Sequence, residues 1–163
     1  MSLQTKRVLL RFLLFALAGM LMEVFFTAAG ALIHDGNWNM HGHSSPWMMM
    51  DYGLLGIVLM PIARPLIRRG VALPFRAAVY MAGIFFVEFV SGWVFDVCGL
   101  VIWDYSHLPL NLCGYITLLY IPCWYATGLV VEYLYRRFDA FALVLAAGVS
   151  PEELEPLVNN GGR

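Results

Sequence analysis

Two glutamates, Glu23 and Glu88, lie deep inside long apolar stretches of the sequence. A charged side chain at the centre of a membrane helix costs about 2.5–3.5 kcal/mol, so something must offset that cost. Protonation, hydrogen bonds from neighbouring polar groups and a cationic ligand are the three candidates. No lysine or arginine is expected at the depth of either glutamate. A ligand-facing role and a neutral structural role therefore both stay open.

Further polar residues follow Glu88 toward the end of its apolar stretch. Ser91 and Asp96 come three and eight residues after Glu88, which places all three on nearly one helical face. We expect Glu88, Ser91 and Asp96 to line a polar track that opens toward the next loop. Glu132 is followed one turn later by Arg136, and this spacing predicts a surface ion pair.

The loop after Asp96 holds the densest group of polar side chains. Its sequence, WDYSHLPLNLCG, contains an acid, hydroxyls, an imidazole, an amide and a thiol. We expect a compact cap above Glu88, in which Asp104 accepts hydrogen bonds from nearby amides and Asn111 satisfies exposed backbone. No catalytic residue is identified. The candidate ligand-binding residues are Glu23, Glu88, Ser91, Asp96, Trp103, Asp104, Tyr105 and Asn111.

The histidines and cysteines form no recognisable metal-binding motif. All four histidines fall in two polar loops, without a spacing diagnostic of zinc or copper. The three cysteines, Cys98, Cys113 and Cys123, also lack zinc-type spacing. We expect no metal and no cofactor. A disulfide between Cys98 and Cys113 stays open as an alternative to free thiols.

The composition indicates that membrane helices position these residues. The chain has 163 residues, of which 61% are hydrophobic and 13% charged, and its mean hydropathy is +0.73. A helix needs about 20 mainly apolar residues to cross a hydrocarbon core of roughly 30 Å. We predict an all-α fold, a polytopic membrane bundle with four transmembrane helices at about 8–33, 48–68, 74–100 and 114–135.

The basic residues predict the topology of this bundle. All ten lysines and arginines fall on one side of the four-span arrangement. By the positive-inside rule both termini and the 64–76 loop are cytoplasmic, and the 101–113 loop faces out. We expect residues 1–137 to form the membrane bundle and residues 138–163 to form a cytoplasmic tail with short surface helices.

The two halves of the bundle share a sequence pattern. Trp38 follows Glu23 at the same separation at which Trp103 follows Glu88. Each half then consists of a helix with a glutamate, a loop with a tryptophan and a returning helix. This pattern indicates two parallel helix-loop-helix repeats, related by an axis along the membrane normal.

Several of these residues also belong to the pattern of a known family. The chain resembles the family of eukaryotic transmembrane protein 229 and the bacterial CmpB-like proteins described as "putative ABC-transporter type IV", over about residues 15–135. The motifs that carry the resemblance are MEVFFTAA with Glu23, YG at 52–53, EF at 88–89, WDYS at 103–106 and GYITLLYIPCW at 114–124. The resemblance implies a multi-pass helical fold and centres attention on the two glutamates and on residues 103–105. We expect a bacterial inner-membrane location.

The resemblance implies no activity, and the function stays open between three alternatives. The first is a small integral-membrane binding or transport component whose carboxylate-lined polar site opens to the outer side and takes a cation, a proton or a small amphiphile. The second is a non-catalytic accessory or scaffold subunit of a larger membrane complex. The third is a membrane enzyme that acts on a lipid-like substrate with Glu88, Asp104 and His107 as acid and base.

The expected partners follow from the same features. The bilayer surrounds the chain, and a second copy or a partner membrane subunit is expected, whereas nucleic acid is not. The sequence contains no G-x-x-x-x-G-K-[ST] phosphate loop. Any ATPase would therefore be a separate chain.

Overall fold

The structure is a computed structural model that describes residues 1–160, and 74% of the chain is helical. Its five α-helices are α1 (Leu3–Asp35), α2 (Met48–Arg68), α3 (Leu73–Val97), α4 (Ile121–Ala147) and α5 (Pro151–Asn160). Before α4 the chain forms a short antiparallel hairpin and a single 3-10 turn. These are β1 (Asn111–Leu112), β2 (Ile116–Thr117) and the turn Leu118–Tyr120.

Three helices of the described chain, α1, α2 and α3, are long and apolar enough to cross a membrane. The fourth long helix, α4, is not apolar enough because its second half carries Glu132, Arg136, Arg137 and Asp139. The prediction of a helical bundle is therefore confirmed. The predicted count of four membrane spans is confirmed for three of the helices only.

The first helix has well-defined ends. Ser2 caps its start, since the Ser2 hydroxyl accepts a hydrogen bond from the Thr5 amide at 3.1 Å. At the other end Gly36 adopts a left-handed conformation, with φ of 61°, and its amide donates to the Leu32 carbonyl at 3.1 Å. These caps satisfy backbone groups that a helix end leaves without partners.

The fourth segment differs from the prediction at both ends. Residues 114–120 contain the second strand of the hairpin and the 3-10 turn, and α4 begins only at Ile121. Pro122 lies in the first turn, where its missing amide costs no helical hydrogen bond. The helix then continues through Arg136 and Arg137 to Ala147. The helix thus extends past the predicted boundary at residue 137, and residues 138–147, where a separate surface helix was expected, are the end of α4.

The long helices pack around a core near the ends that carry most of the arginines. Helix α1 packs against α2 and α4, and α3 packs mainly against α4. Gly128 permits a close approach of α4 to α3, because a Cβ atom there would lie 2.6 Å from the Ala77 carbonyl oxygen. The buried core residues are Phe15, Leu59, Met60, Ala63, Tyr80, Val131 and Tyr135.

An ion-pair network joins the start of α1 to the end of α4. The Arg7 side chain donates to Asp139 with an Nε–Oδ1 distance of 2.8 Å. Arg11 donates to the same Oδ1 atom at 2.6 Å, and its Nε donates to the Gly56 carbonyl of α2 at 2.5 Å. Arg11 is buried and also lies over the Tyr135 ring, 4.6 Å from its centre. Arg11 therefore connects α1 to both α2 and α4.

A second ion pair joins α3 to α4 and corrects the prediction for Glu132. Glu132 is only 7% exposed, and its two carboxylate oxygens accept hydrogen bonds from Arg76 at 2.7 and 2.9 Å. The Tyr80 hydroxyl adds a third at 2.5 Å. The predicted surface pair with Arg136 is wrong because a buried carboxylate needs a partner inside the bundle. Both networks show that α4 runs antiparallel to α1 and α3.

Candidate functional site

Glu23 of α1 accepts hydrogen bonds from two neutral donors on other elements. The Ser44 hydroxyl, in the loop between α1 and α2, donates to Glu23 Oε2 at 2.9 Å. The Tyr52 hydroxyl, near the start of α2, donates to the same oxygen at 2.9 Å. Glu23 thereby connects its own helix to the following loop and to the following helix.

Glu88 of α3 is held in the same way. It is buried, with 8% of its surface exposed. The Tyr105 hydroxyl, in the loop after α3, donates to Glu88 Oε1 at 3.1 Å. The indole nitrogen of Trp124, in the first turn of α4, donates to Oε2 at 3.1 Å. Each glutamate thus has one donor from the loop that follows it and one from the next long helix.

A third carboxylate, Asp51, lies next to Tyr52 on α2 and connects the two glutamate positions. Ser91 of α3 donates to Asp51 Oδ2 at 2.8 Å, and Ser91 lies one turn after Glu88 on the same helix. The structure therefore places Ser91 against α2. Two consecutive residues of α2 thus contact the two helices: Tyr52 donates to Glu23 of α1, and Asp51 accepts from Ser91 of α3. We refer to Glu23, Asp51 and Glu88 as the carboxylate cluster.

Asp96 lies apart from this cluster. Its side chain is exposed, and the Tyr115 hydroxyl donates to Asp96 Oδ2 at 2.6 Å. Asp96 therefore pairs with the hairpin loop, whereas Ser91 pairs with Asp51. The expected continuous track of Glu88, Ser91 and Asp96 is divided between two environments.

The loop before the hairpin is organised by Trp103 and Asp104. The Trp103 indole donates to the Tyr115 carbonyl at 2.8 Å. Asp104 accepts hydrogen bonds from the Ser106 amide at 2.8 Å and from the Ser106 hydroxyl at 2.9 Å. The backbone hydrogen bond from Ser106, followed by its side-chain hydrogen bond, lowers the pKa of the exposed Asp104 carboxyl below its usual value. Asp104 therefore stabilises a turn.

Asn111 and Tyr105 connect the two sides of this loop. The Asn111 side chain donates to the Leu108 carbonyl at 2.7 Å and accepts from the Gly114 amide at 3.2 Å. The Tyr105 amide donates to the Gly114 carbonyl at 2.8 Å. Since the Tyr105 hydroxyl also reaches Glu88, this backbone pairing positions the loop donor of the carboxylate cluster.

Tyr120 adds an aromatic wall beside Glu88. Its ring packs edge-on against Tyr105 at 5.3 Å and against Phe26 of α1 at 5.7 Å, measured between ring centres. It also lies 6.4 Å from the Trp124 ring. Both donors of Glu88 are therefore held by aromatic packing of the kind that fixes ring orientation.

A cavity of about 220 Å³ lies beside the loop that follows α3 but does not reach the carboxylate cluster. It is bounded by the end of α3 and by the loop, including Asp96, Trp103, Asp104 and Tyr115. Glu88 is not among its lining residues. Glu88 is thus enclosed by its own donors, whereas Asp96 and Asp104 face a separate, open space.

The acidic groups of the cluster are carboxylates held by hydroxyl and indole donors. Over residues 1–160, no three His, Cys, Asp or Glu side chains come close enough to share a metal ion. The arginines that form ion pairs do so at the other end of the bundle, with Glu132 and Asp139. As an acid-base group, Glu88 is buried, whereas Asp104 and His107 are exposed in the loop. The geometry therefore offers carboxylate oxygens rather than a nucleophile.

Sequence reasoning missed four residues of the site, three of which donate to the glutamates. Ser44, Tyr52 and Trp124 are donors that give no local signal, because their partners lie on other helices. Asp51 did give a local sequence signal, since it is an acid in the apolar stretch 48–68. The argument that singled out Glu23 applies to Asp51 equally well.

Comparison with known proteins gives one family and no solved structure. The family model described as "Putative ABC-transporter type IV" matches residues 10–149. The match spans α1 to α4 and confirms the resemblance that the sequence motifs indicated. No solved structure matches the chain.

Proposed function

We propose that this chain, which belongs to the family described as "Putative ABC-transporter type IV", is a small membrane component of a transport system that binds a cation. The proposed cation-attracting groups are the carboxylates of Glu23, Asp51 and Glu88, which act through their combined charge and do not ligate one metal ion jointly. The proposed location is the bacterial inner membrane, with both termini cytoplasmic. The loop that contains Asp104 then faces out, and all ten lysines and arginines lie inside.

The ion pairs of α4 support a fourth membrane span in this proposal. The two acids in its second half, Glu132 and Asp139, accept hydrogen bonds from arginines of α3 and α1. A charge paired inside the bundle costs far less than one exposed to lipid. With 27 residues, α4 is also long enough to cross. Its low apolarity is therefore compatible with a position among the other three helices.

The single observation that carries the binding role is the charge of the carboxylate cluster. Its hydrogen-bond donors are hydroxyls and an indole: Ser44, Tyr52, Ser91, Tyr105 and Trp124. No described ion pair involves a cluster carboxylate. Acidic side chains within membrane helices mark ion or substrate pathways more often than they serve packing alone. The cluster therefore lacks the positive charge that a bound cation would supply.

The transport role requires other subunits. The sequence has no phosphate-loop motif, so a nucleotide-hydrolysing subunit would be a separate chain. In this arrangement the chain supplies membrane helices and a binding site, and a partner supplies energy.

A second candidate function, a non-catalytic accessory subunit, is favoured by a different observation. Glu23 and Glu88 each have two hydrogen-bond donors within the bundle, and Glu88 lines neither cavity. Protonated, neutral glutamic acids whose hydrogen bonds are all made within the bundle would hold loops to helices without binding a ligand.

A cation titration separates the two functions. The purified full chain in neutral detergent is titrated with K⁺, Na⁺, Mg²⁺ and tetramethylammonium while tryptophan fluorescence is recorded. Trp124 donates to Glu88, so a cation at the cluster changes its surroundings. We expect a saturable signal with at least one of these cations. Glu23→Gln and Glu88→Gln should each weaken that response at least tenfold.

Asp35→Asn is the matched control. Asp35 is exposed at the end of α1, so this substitution removes one negative charge outside the cluster. It should keep the wild-type response, and thermal melting should show that every variant is folded. No saturable response to any of the four cations, or a full response in the Glu23→Gln/Glu88→Gln double variant, would establish the accessory role instead.

A further inference from the structure

A second cavity, of about 380 Å³, opens between α2 and α4 at the opposite end of the bundle from the carboxylate cluster. These two helices pack little against each other, since α2 packs mainly against α1 and α4 packs against α1 and α3. Its lining includes Met60, Arg64, Ile67 and Arg68 of α2, and Arg136 and Asp139 of α4.

The charge of this cavity is strongly positive. Arg64, Arg68 and Arg136 are exposed, and within residues 1–156 none of them forms an ion pair or a side-chain hydrogen bond. The carboxylate on the cavity wall, Asp139, already accepts hydrogen bonds from Arg7 and Arg11 of α1. Three guanidinium groups thus face one space whose acidic group is neutralised.

Membrane topology alone does not account for this convergence. The positive-inside rule needs basic residues on one side of the membrane, at any position around the bundle. Arg69 and Arg137 meet that need without lining the cavity, and Arg137 lies 5.1 Å from the centre of the Tyr133 ring. The cavity arginines come from two helices and meet at one place.

We propose that this cavity binds the phosphate group of an anionic amphiphile, such as a phospholipid of the inner leaflet. A guanidinium group binds phosphate oxygens through paired N–H donors, which makes arginine the residue best suited to this ligand. Met60 and Ile67 give the same cavity an apolar wall against which a glycerol or acyl group packs. Basic pockets between membrane helices on the cytoplasmic side bind anionic headgroups. This site is independent of the carboxylate cluster and of the function proposed for it.

Native mass spectrometry of the full chain in neutral detergent tests the proposal. The probes are phosphatidylglycerol, phosphatidylcholine and glycerol 3-phosphate. We expect phosphatidylglycerol to bind at least tenfold more tightly than phosphatidylcholine, which carries no net charge. If glycerol 3-phosphate displaces phosphatidylglycerol at similar concentration, the phosphate site stands and its ligand is a soluble phosphate ester. If it does not, the ligand is the lipid.

Two double variants assign the binding to the cavity. Arg64→Gln/Arg136→Gln removes one cavity arginine from each helix and should weaken phosphatidylglycerol binding at least tenfold. Arg69→Gln/Arg137→Gln makes the same change of charge at the same end but outside the cavity, and should change binding less than twofold. Arg64→Lys/Arg136→Lys keeps the charge, so retained folding with intermediate affinity is expected. Equal losses in the two glutamine variants, or no preference for phosphatidylglycerol, would overturn the proposal.

Discussion

Arg11 and Arg76 occupy equivalent places near the starts of α1 and α3, and each forms an ion pair with α4. The sequence separation between them equals that between the two cluster glutamates. The same separation relates Phe15 to Tyr80, which both lie in the buried core. The pattern that the two halves of the sequence share at the glutamates therefore also includes the end of the bundle that carries Arg11 and Arg76.

The equivalence stops at the partner helices. The acids that form ion pairs with these arginines, Glu132 and Asp139, both belong to α4. The corresponding end of α2 carries Arg64 and Arg68 instead. Helices α2 and α4 therefore have different charges at the same level. The basic cavity lies between these two helices.

The buried pair of Arg76 and Glu132 leads to a prediction for stability. Arg76→Gln or Glu132→Gln leaves one charge without its partner inside the bundle, which costs roughly 3–5 kcal/mol in a buried pair. We expect the double variant to lose less stability than the two single losses added together. Unfolding of the purified chain in mixed detergent measures all three, with the exposed Arg137→Gln as a control. Strict additivity would show that the two groups do not interact.

Gly19 gives a prediction for the Glu23 contact. A Cβ atom at this position would lie 2.1 Å from Cγ of Tyr52, so Gly19→Ala must displace the ring whose hydroxyl donates to Glu23. We expect a lower melting temperature and, if the cluster binds a cation, weaker binding. Gly30→Ala is the matched control on the same helix, because no atom lies within 4 Å of its Cβ position. It should be neutral or stabilising by up to about 1 kcal/mol.

Asp104 gives a prediction for pH dependence. Its pKa is lower in the folded protein than the ordinary value of 3.8, because Ser106 donates to the carboxylate. A lowered folded pKa means that this contribution to stability is complete above the unfolded pKa and disappears as pH falls through the folded pKa. We therefore expect Asp104→Asn to melt below wild type at pH 7. The difference should begin to shrink as pH falls below about 4, where the unfolded state binds the proton, and should disappear at pH values below the folded pKa. A difference that stays constant from pH 7 to pH 3 would contradict the assignment.

Thiol labelling tests the proposed topology. In a background with serine at the three native cysteine positions, His107→Cys should react with a membrane-impermeant maleimide in intact cells, and Arg69→Cys should not. Both positions are exposed, so access to the reagent depends on the side of the membrane. Gly42, in the loop between α1 and α2, is not suitable for cysteine labelling, since a Cβ atom there would lie 1.9 Å from the Val24 carbonyl oxygen. The reverse labelling pattern would place the termini outside.

A helix could be predicted where the length of its apolar segment is enough to define its bounds. The predicted segment 48–68 has the bounds of α2 as observed. The start of α4 was misplaced because GYITLLY is as apolar as a helix, whereas a turn with positive φ at Cys113 and Gly114 sets up the hairpin. Its end was misplaced because two adjacent arginines resembled a boundary. Helix α4 ends at Ala147, where Gly148, with a φ of 69°, forms the C-terminal cap.

The carboxylate cluster was predictable only in part. Glu23 and Glu88 stand out because an acid in an apolar stretch needs an explanation. Their donors do not stand out, because tyrosine and tryptophan are common at membrane surfaces for other reasons. The choice of Tyr52 and Trp124 depends on how the helices pack, and this information is not local in sequence.

The ion pair between Arg11 and Asp139 forms late in the synthesis of the protein. Arg11 lies in α1, and Asp139 lies 128 residues later in α4. Because synthesis proceeds from the N-terminus, Arg11 remains without its carboxylate until most of α4 has been translated. A nascent chain that stops before residue 139 therefore lacks the acid that both Arg7 and Arg11 contact in the folded protein.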